Sequence, residues 1–115
     1  MPAYVINDMV VTDPELFERY KQLSPATVAQ YGGRFLARGG QIDKLEGDWS
    51  PRRVVIIEFP SLERAHAWCD SLEYAPAKLL RLRASTSRLI VVEGVAPASA
   101  FSTRKSCMRC TCKGK

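Results

Sequence analysis

Histidine and long apolar runs are both scarce in this sequence, and each shortage limits what the chain can do. His66 is the only histidine, so a histidine-based metal site within one chain is not expected, and we assign no metal and no cofactor. No apolar run approaches the roughly 20 residues of a membrane-spanning helix. The sequence enters a strand pattern at once, without a signal peptide. We therefore expect a cytoplasmic protein with no membrane partner.

Excess charge of one sign is also missing from most of the chain. The formal net charge is +5, yet residues 1–95 hold twelve Lys/Arg and twelve Asp/Glu and are neutral. Nucleic-acid binding depends on a positive surface, because phosphate contacts supply most of the affinity. Specific nucleic acid is therefore not an expected partner.

The excess positive charge lies in residues 96–115, which also hold Cys107, Cys110 and Cys112. Three thiolates at such spacing can bind a soft metal, but no fourth ligand or second cysteine pair follows. Small, polar and charged residues dominate, as is typical of flexible segments. We predict one domain over 1–95 and a basic, cysteine-containing flexible tail over 96–115.

A glycine-rich stretch over residues 31–40 joins a predicted helix to a predicted strand. Gly32 follows the last apolar position of a helical pattern, which predicts a helix stop. The next strand is predicted from Arg34 to about Leu45. Regular alternation would place Arg34 and Arg38 on one face, where they could bind an anion or stay solvated or ion-paired. Gly39 predicts a bulge or a close backbone approach.

The apolar periodicities predict the element order β-α-β-β-α-β. The predicted strands cover residues 3–11, 34–45, 53–59 and 88–93, and the predicted helices cover 12–31 and 61–85, the second with a break at 72–76. Thr12 is the predicted N-terminal cap of the first helix. Pro25 predicts a kink or break, because it cannot donate to the carbonyl of Lys21.

The side-chain pattern of the second helix yields three further expectations. Its last segment is predicted to point Leu79 and Leu82 inward and Arg81 outward. His66 lies at the edge of the apolar stripe and is predicted to be half-buried. Two helices cover only one face of a sheet, although the first, third and fourth strands are apolar on both faces.

This pattern predicts an α+β, ferredoxin-like fold: a four-stranded antiparallel sheet with helices on one face. The uncovered apolar face must be buried against something. A second copy, sheet against sheet, is the simplest solution. We therefore predict a homodimer, a dimeric α/β barrel.

Candidate site residues come from polar groups in apolar surroundings. Glu58 lies in the most apolar strand, where it could act as a general acid or base or form an ion pair with Arg38 or Arg53. The catalytic candidates are therefore Glu58 and Arg38. The candidates for ligand binding are Asn7, Tyr20, Tyr31, Arg34, Arg53 and Tyr74.

Several motifs in order also resemble a bacterial family, the domain of unknown function number thirteen-thirty. They are YGGRFLARGG at 31–40, LEGDW at 45–49, IEFPS at 57–61, AWC and EY at 67–69 and 73–74, and EG at 93–94. The resemblance implies the dimeric α/β-barrel superfamily, which includes small monooxygenases, chlorite-dismutase-like enzymes and muconolactone isomerases. It implies no established activity for the family itself.

Two functional hypotheses follow. The first is a small-molecule enzyme or ligand-binding protein with a pocket between the sheet and the helices. The second is a non-catalytic structural or binding homodimer. The substrate, the pathway and the role of the three tail cysteines are not specified by the sequence.

Overall fold

A computed structural model describes residues 1–95, and the predictions for residues 96–115, including those for Cys107, Cys110 and Cys112, lie outside the described part. The strands are β1 (Ala3–Val11), β2 (Arg34–Arg38), β3 (Arg53–Phe59) and β4 (Ser85–Glu93), and the helices are α1 (Pro14–Gln30), α2 (Leu62–Cys69) and α3 (Ala75–Ala84). Within residues 1–95, no helix has the length and apolar character needed to cross a membrane.

The four strands form one antiparallel sheet in the order β2-β3-β1-β4. This confirms the predicted α+β, ferredoxin-like fold. Side chains alternate between the faces of each strand, and the helices cover one of them. The helix-covered face carries Val5, Asn7, Val55, Ile57 and Leu89, and the open face carries Tyr4, Ile6, Ile56, Ile90 and Val92.

The core between sheet and helices is built around Trp68 of α2. Its ring centroid lies 4.1 Å from that of Tyr74 and 5.3 Å from that of Phe59. The indole Nε1 donates a hydrogen bond to Thr27 Oγ1 at 3.0 Å, and that hydroxyl donates to the carbonyl of Ser24 at 2.8 Å. The buried polar atoms of this cluster are thereby satisfied, as a tightly packed core requires.

The N-terminal cap of α1 lies one residue later than predicted. The backbone N–H of Thr12 donates to the carbonyl of Ala84 at 2.7 Å, so Thr12 still belongs to the chain leaving β1. Asp13 is the cap instead, since its carboxylate accepts from the N–H of Leu16 at 3.2 Å. Pro14 then occupies the first helical turn, where its missing N–H costs nothing.

The predicted end of α1 is confirmed at Gly32. This glycine has a positive φ of 81°, and its N–H donates to the carbonyl of Ala29 while that of Gly33 donates to Val28. These two bonds form a Schellman cap, for which glycine is the preferred residue. Of the kink or break expected at Pro25, the break does not occur: α1 is a single helix across this residue.

Strand β2 is shorter and less regular than predicted. It ends at Arg38 because Gly39, with φ 74°, turns the chain away. The pairing with β3 shifts between Phe35 and Ala37, so Leu36 is an extra residue in a β-bulge. One extra residue reverses the faces of all that follow.

As a result, Arg34 and Arg38 lie on opposite faces, in contrast to the prediction. Arg34 pairs with Glu58 on the open face, whereas Arg38 pairs with Val55 on the helix-covered face. The predicted regular alternation failed here because a bulge leaves no mark in the apolar pattern.

The orientation predicted for α3 is wrong. Leu79 and Leu82 are exposed, whereas Arg81 is only 4% exposed. Ala77 and Ala84 share the buried side with Arg81, and their small side chains let α3 lie close to α1. His66 of α2 is exposed rather than half-buried.

Candidate functional site

A cavity of about 20 Å³ lies between the helix-covered face of the sheet and α1. This volume is about that needed for one water molecule. Its apolar walls include the rings of Phe17, Phe35 and Trp68. Its polar walls are Asn7, Tyr20, Lys21, Ser24, Arg38, Arg53 and Tyr74.

Arg38 reaches this cavity because of the bulge at Leu36, and α1 holds it there. Its Nη2 donates to the carbonyl of Lys21 at 3.2 Å. In a regular helix this carbonyl would accept from the N–H of residue 25, but Pro25 has none. The guanidinium also stacks 4.6 Å from the ring centroid of Phe35, so two contacts fix an otherwise flexible side chain.

Arg53 enters the cavity from the start of β3. Its guanidinium carbon lies 5.0 Å from the ring centroid of Phe17. The group also packs directly against Gly39, where a Cβ atom would overlap it. Burial, and secondly the charge of Arg38, lower the pKa of Arg53. Its Nε is buried and has no hydrogen-bond partner.

Neither arginine of the cavity is neutralised by a carboxylate of residues 1–95. The ion pairs in this part of the chain are Lys21–Glu18, Arg34–Glu58 and Arg88–Asp8. Two guanidinium groups near each other without an acidic partner create a positive potential. The cavity is therefore suited to an anion.

A chain of hydrogen bonds runs from α3 into the same cavity. Arg81 Nε donates to Tyr74 Oη at 3.2 Å, and Tyr74 Oη lies 3.0 Å from Tyr20 Oη. Arg81 Nη1 also donates to Ser87 Oγ. Burial, with Tyr20 as a further cause, raises the pKa of Tyr74, so this phenol stays protonated at neutral pH.

Asn7 contributes an unpaired hydrogen-bond acceptor to the cavity. The residue is only 5% exposed, and its Oδ1 is buried without a partner. Asn7 lies opposite Val55 and Arg53 lies opposite Met9, so Asn7 and Arg53 are diagonal neighbours on the same sheet face.

The fold thus brings together Asn7, Tyr20, Arg38, Arg53 and Tyr74, five of the eight residues predicted for the site. The other three lie elsewhere. Tyr31 donates to Glu73 Oε1 at 2.8 Å near the start of α3. Arg34 Nε donates to Glu58 Oε1 at 2.7 Å on the open face.

The predicted catalytic pair of Glu58 and Arg38 is therefore not assembled within one chain. The two side chains lie on opposite faces of the sheet, and the ion-pair partner of Glu58 is Arg34 rather than Arg38 or Arg53. The bulge at Leu36 is the physical reason, because it rotates Arg38 away from the face that carries Glu58.

Comparison with known families agrees with this architecture. The profile of a domain of unknown function (DUF1330) matches residues 2–95. The chain belongs to the DUF1330 family. The resemblance seen in the sequence motifs is thereby confirmed. No curated protein is similar enough to count as a relative.

Solved structures similar to this DUF1330 chain share its fold. A protein of unknown function from Rhodopseudomonas palustris has a TM-score of 0.67 and 24% identity, over 84% of each chain. SnoaB, a cofactor-independent oxygenase from Streptomyces nogalater, has a TM-score of 0.60 and 17% identity, over 84% of this chain and 96% of its own. A dimeric protein of unknown function and ferredoxin-like fold from Bacteroides fragilis has a TM-score of 0.53 and 12% identity, over 81% and 96%.

Lys21 and Ser24 line the cavity of this DUF1330 chain and were not predicted from the sequence. Arg81, which supports the cavity through Tyr74, was not predicted either. Its charge suggested an outward position on α3. The available signal was the spacing of Ala77, Arg81 and Ala84, which places them on one stripe of a helix. A stripe of small residues indicates close helix packing, and that face is the one that packs in the structure.

Proposed function

We propose that this DUF1330 protein binds a small organic anion in the cavity between α1 and the sheet. The supporting observation is the pair of guanidinium groups of Arg38 and Arg53, which line the cavity without a carboxylate partner among residues 1–95. Burial, and after it the charge of Arg38, already lower the pKa of Arg53. An anion placed between them would relieve this repulsion and gain charge-assisted hydrogen bonds.

The rings around the cavity favour an anion with a flat or aromatic body. Phe17 and Phe35 lie under the two guanidinium groups, and Trp68 contributes to the same wall. The present cavity is small, so a ligand must displace a side chain to enter. Arg38 is the side chain suited to move, because it is the exposed residue of the wall and only one hydrogen bond and one stacking contact hold it in the described chain.

Binding is proposed rather than catalysis, although SnoaB shares the fold. Among the described residues that line the cavity there is no histidine and no carboxylate. Tyr74 is held in its protonated form, since burial raises its pKa. The cavity of one chain therefore offers no base suited to proton abstraction near neutral pH.

The proposal is tested by calorimetry on the full-length protein with benzoate and its neutral analogue benzamide. Benzoate is expected to bind, and to raise the midpoint of thermal unfolding, whereas benzamide is not. Binding should weaken with added salt, because the attraction is partly Coulombic. Arg53→Met should abolish it.

Arg52 provides the matched control, since it is exposed and does not line the cavity. Arg52→Met is expected to bind benzoate as the unmodified protein does. Equal binding of benzoate and benzamide, or equal loss in the Arg52 and Arg53 variants, would overturn the proposal.

We also propose that the protein is a homodimer formed through the open face of the sheet. Ile90 and Val92 of this face are 63% and 47% exposed, and Ile6 pairs with Ile90 on one side and with Ile56 on the other. An exposed apolar patch on a sheet is typical of an interface. The likeness to a dimeric ferredoxin-like protein supports this arrangement.

Light scattering should give a mass about twice the 12.9 kDa of one chain. Ile90→Asp is expected to yield a monomer, because it places a charge in the patch. Leu79→Asp is the matched control, since Leu79 is similarly exposed but lies on α3. A monomeric unmodified protein, or dissociation by both variants alike, would contradict the proposal.

A further inference from the structure

The direction of the hydrogen bonds in the cavity identifies which groups donate and which accept. Arginine can only donate, so Tyr74 Oη accepts from Arg81 Nε. The hydroxyl hydrogen of Tyr74 then needs an acceptor, and Tyr20 Oη is its only hydrogen-bonding neighbour besides Arg81 within residues 1–95. The reverse direction would leave a buried O–H unsatisfied, which costs more than one hydrogen bond contributes.

Tyr20 is therefore a donor toward the cavity. Its oxygen accepts from Tyr74, and its own hydrogen is left for a group in the cavity that both residues line. Tyr74 and Arg81 are positioning residues, since they act through Tyr20. With Arg38 and Arg53, the cavity presents three donor groups that match an anionic oxygen.

A second pair of cavity atoms, one acceptor and one donor, requires a ligand group that can both donate and accept a hydrogen bond. Asn7 Oδ1 is an acceptor, Arg53 Nε is a donor, and both are buried without a partner. The two residues are diagonal neighbours on one sheet face and line the same cavity. A hydroxyl group can accept from Nε and donate to Oδ1 at the same time, whereas a carboxylate can only accept.

We infer that the anion bound by this cavity is a hydroxycarboxylic acid. Its carboxylate accepts from Arg38 and Tyr20, and its hydroxyl lies between Arg53 Nε and Asn7 Oδ1. The inference rests on the proposed anion binding and adds the ligand class to it. Asn7 is then the residue that determines specificity, because the cavity has no other unpaired buried acceptor among the described side chains.

The test compares two acid pairs that differ only in a hydroxyl, by calorimetry on the full-length protein. The pairs are mandelate with phenylacetate, and 3-hydroxybenzoate with benzoate; they place the hydroxyl at different distances from the carboxylate. In at least one pair, the hydroxy acid is expected to bind about tenfold more tightly, the value of one good hydrogen-bonding group.

Two variants test whether Asn7 Oδ1 and Arg53 Nε cause that preference for the hydroxy acid. Asn7→Leu removes the unpaired acceptor, so the two acids of each pair should bind this variant with equal affinity. Arg53→Lys keeps the positive charge but has no Nε–H group, so it should also bind the acids without the preference. Because Asn7→Leu replaces an unsatisfied buried group by an apolar one, it is not expected to unfold the domain.

The outcomes separate this inference from the proposed function. If the plain acids bind and neither hydroxyl improves binding, or if the preference survives in both variants, the hydroxy-acid inference is wrong and anion binding stands. If none of the four acids binds, both are wrong. A preference that is lost in both variants supports both.

Discussion

Replacing Tyr74 by phenylalanine would remove the acceptor that a buried arginine depends on. Arg81 is 4% exposed, and within residues 1–95 no carboxylate forms an ion pair with it. Its Nε hydrogen bond goes to Tyr74 Oη. In Tyr74→Phe the Nε–H of Arg81 stays buried without a partner, although Nη1 keeps its bond to Ser87 Oγ, and Tyr20 loses a hydrogen bond.

The expected loss of stability follows from these two changes. An unsatisfied buried donor costs about 1–3 kcal/mol, and more when it is charged, and the lost Tyr20 bond adds about 1 kcal/mol. The free energy of unfolding should therefore fall by about 2–4 kcal/mol. For a domain of this size, such a loss lowers the unfolding midpoint by roughly 10 °C or more.

Urea unfolding followed by circular dichroism would measure this change in the full-length protein. Tyr20→Phe is the control, because it removes a neighbouring hydroxyl of the same chain but leaves the Arg81 bond in place. It leaves the neutral O–H of Tyr74 buried without an acceptor, which should cost about 1–2 kcal/mol, less than an unpaired charged donor. In the background of Arg81→Met, Tyr74→Phe should lose most of its effect, with an interaction energy of at least about 1 kcal/mol.

Two results would refute this reasoning. The first is a destabilisation by Tyr74→Phe that is no larger than that by Tyr20→Phe. The second is simple additivity of Tyr74→Phe and Arg81→Met, since additivity means that the two groups do not depend on each other.

Four further predictions concern other features of the domain. Burial raises the pKa of Tyr74, so the protonated phenol contributes fully to stability below about pH 10, its pKa in the unfolded chain, and this contribution is lost above that pH. Between pH 9 and pH 11, the urea midpoint of the unmodified protein should therefore fall more than that of Tyr74→Phe. Glu58→Gln removes an ion pair that lies on the open face, opposite the cavity, so benzoate binding should not change. Gly39→Ala forces a non-glycine residue to φ 74° against the Arg53 guanidinium, and should cost about 1–3 kcal/mol in urea unfolding and weaken benzoate binding. Removing residues 96–115 should change neither the unfolding midpoint nor the dimeric state measured by light scattering, because the last apolar strand ends before these residues.

Each of these predictions has a contrary result. An alkaline loss of stability equal in the Tyr74→Phe protein would show that other groups cause it. Loss of binding in Glu58→Gln would return Glu58 to the ligand site. Unchanged binding in Gly39→Ala would show that Arg53 does not need its position against this glycine. Unfolding, dissociation or loss of a bound metal after truncation would make the tail part of the folded protein.

The fold was predictable because its signals are local and repeated. The bounds of β1 and β3 follow directly from apolar runs over 3–11 and 53–59. Gly32 marks the end of α1 through its backbone freedom, which is a property of one residue. Asn7, Tyr20 and Arg53 meet at the cavity because alternation along regular strands and helical periodicity fix their faces. Arg38 reaches it through the bulge in β2, and Tyr74 reaches it from the turn before α3.

The errors arose where tertiary context overrides the local pattern. Leu36 bulges out of β2 with no turn residue or change in hydrophobicity to indicate it, and the faces of Arg34 and Arg38 depend on that single insertion. Arg81 is buried because Tyr74 and Ser87 offer it oxygen atoms from elsewhere in the chain. Neither partner lies next to it in sequence, so its charge alone suggested an exposed position.

Pro25 determines how the position of the Arg38 charge in the cavity depends on pH and on substitutions in α1. The main-chain oxygen that holds Arg38 belongs to Lys21 and is made available by the proline. A peptide carbonyl does not titrate, and it survives any side-chain replacement at position 21. The hydrogen bond that holds Arg38 should thus be independent of pH and should persist when neighbouring side chains are substituted. Among single substitutions in α1, only one at position 25 would give the helix a competing N–H and release this arginine.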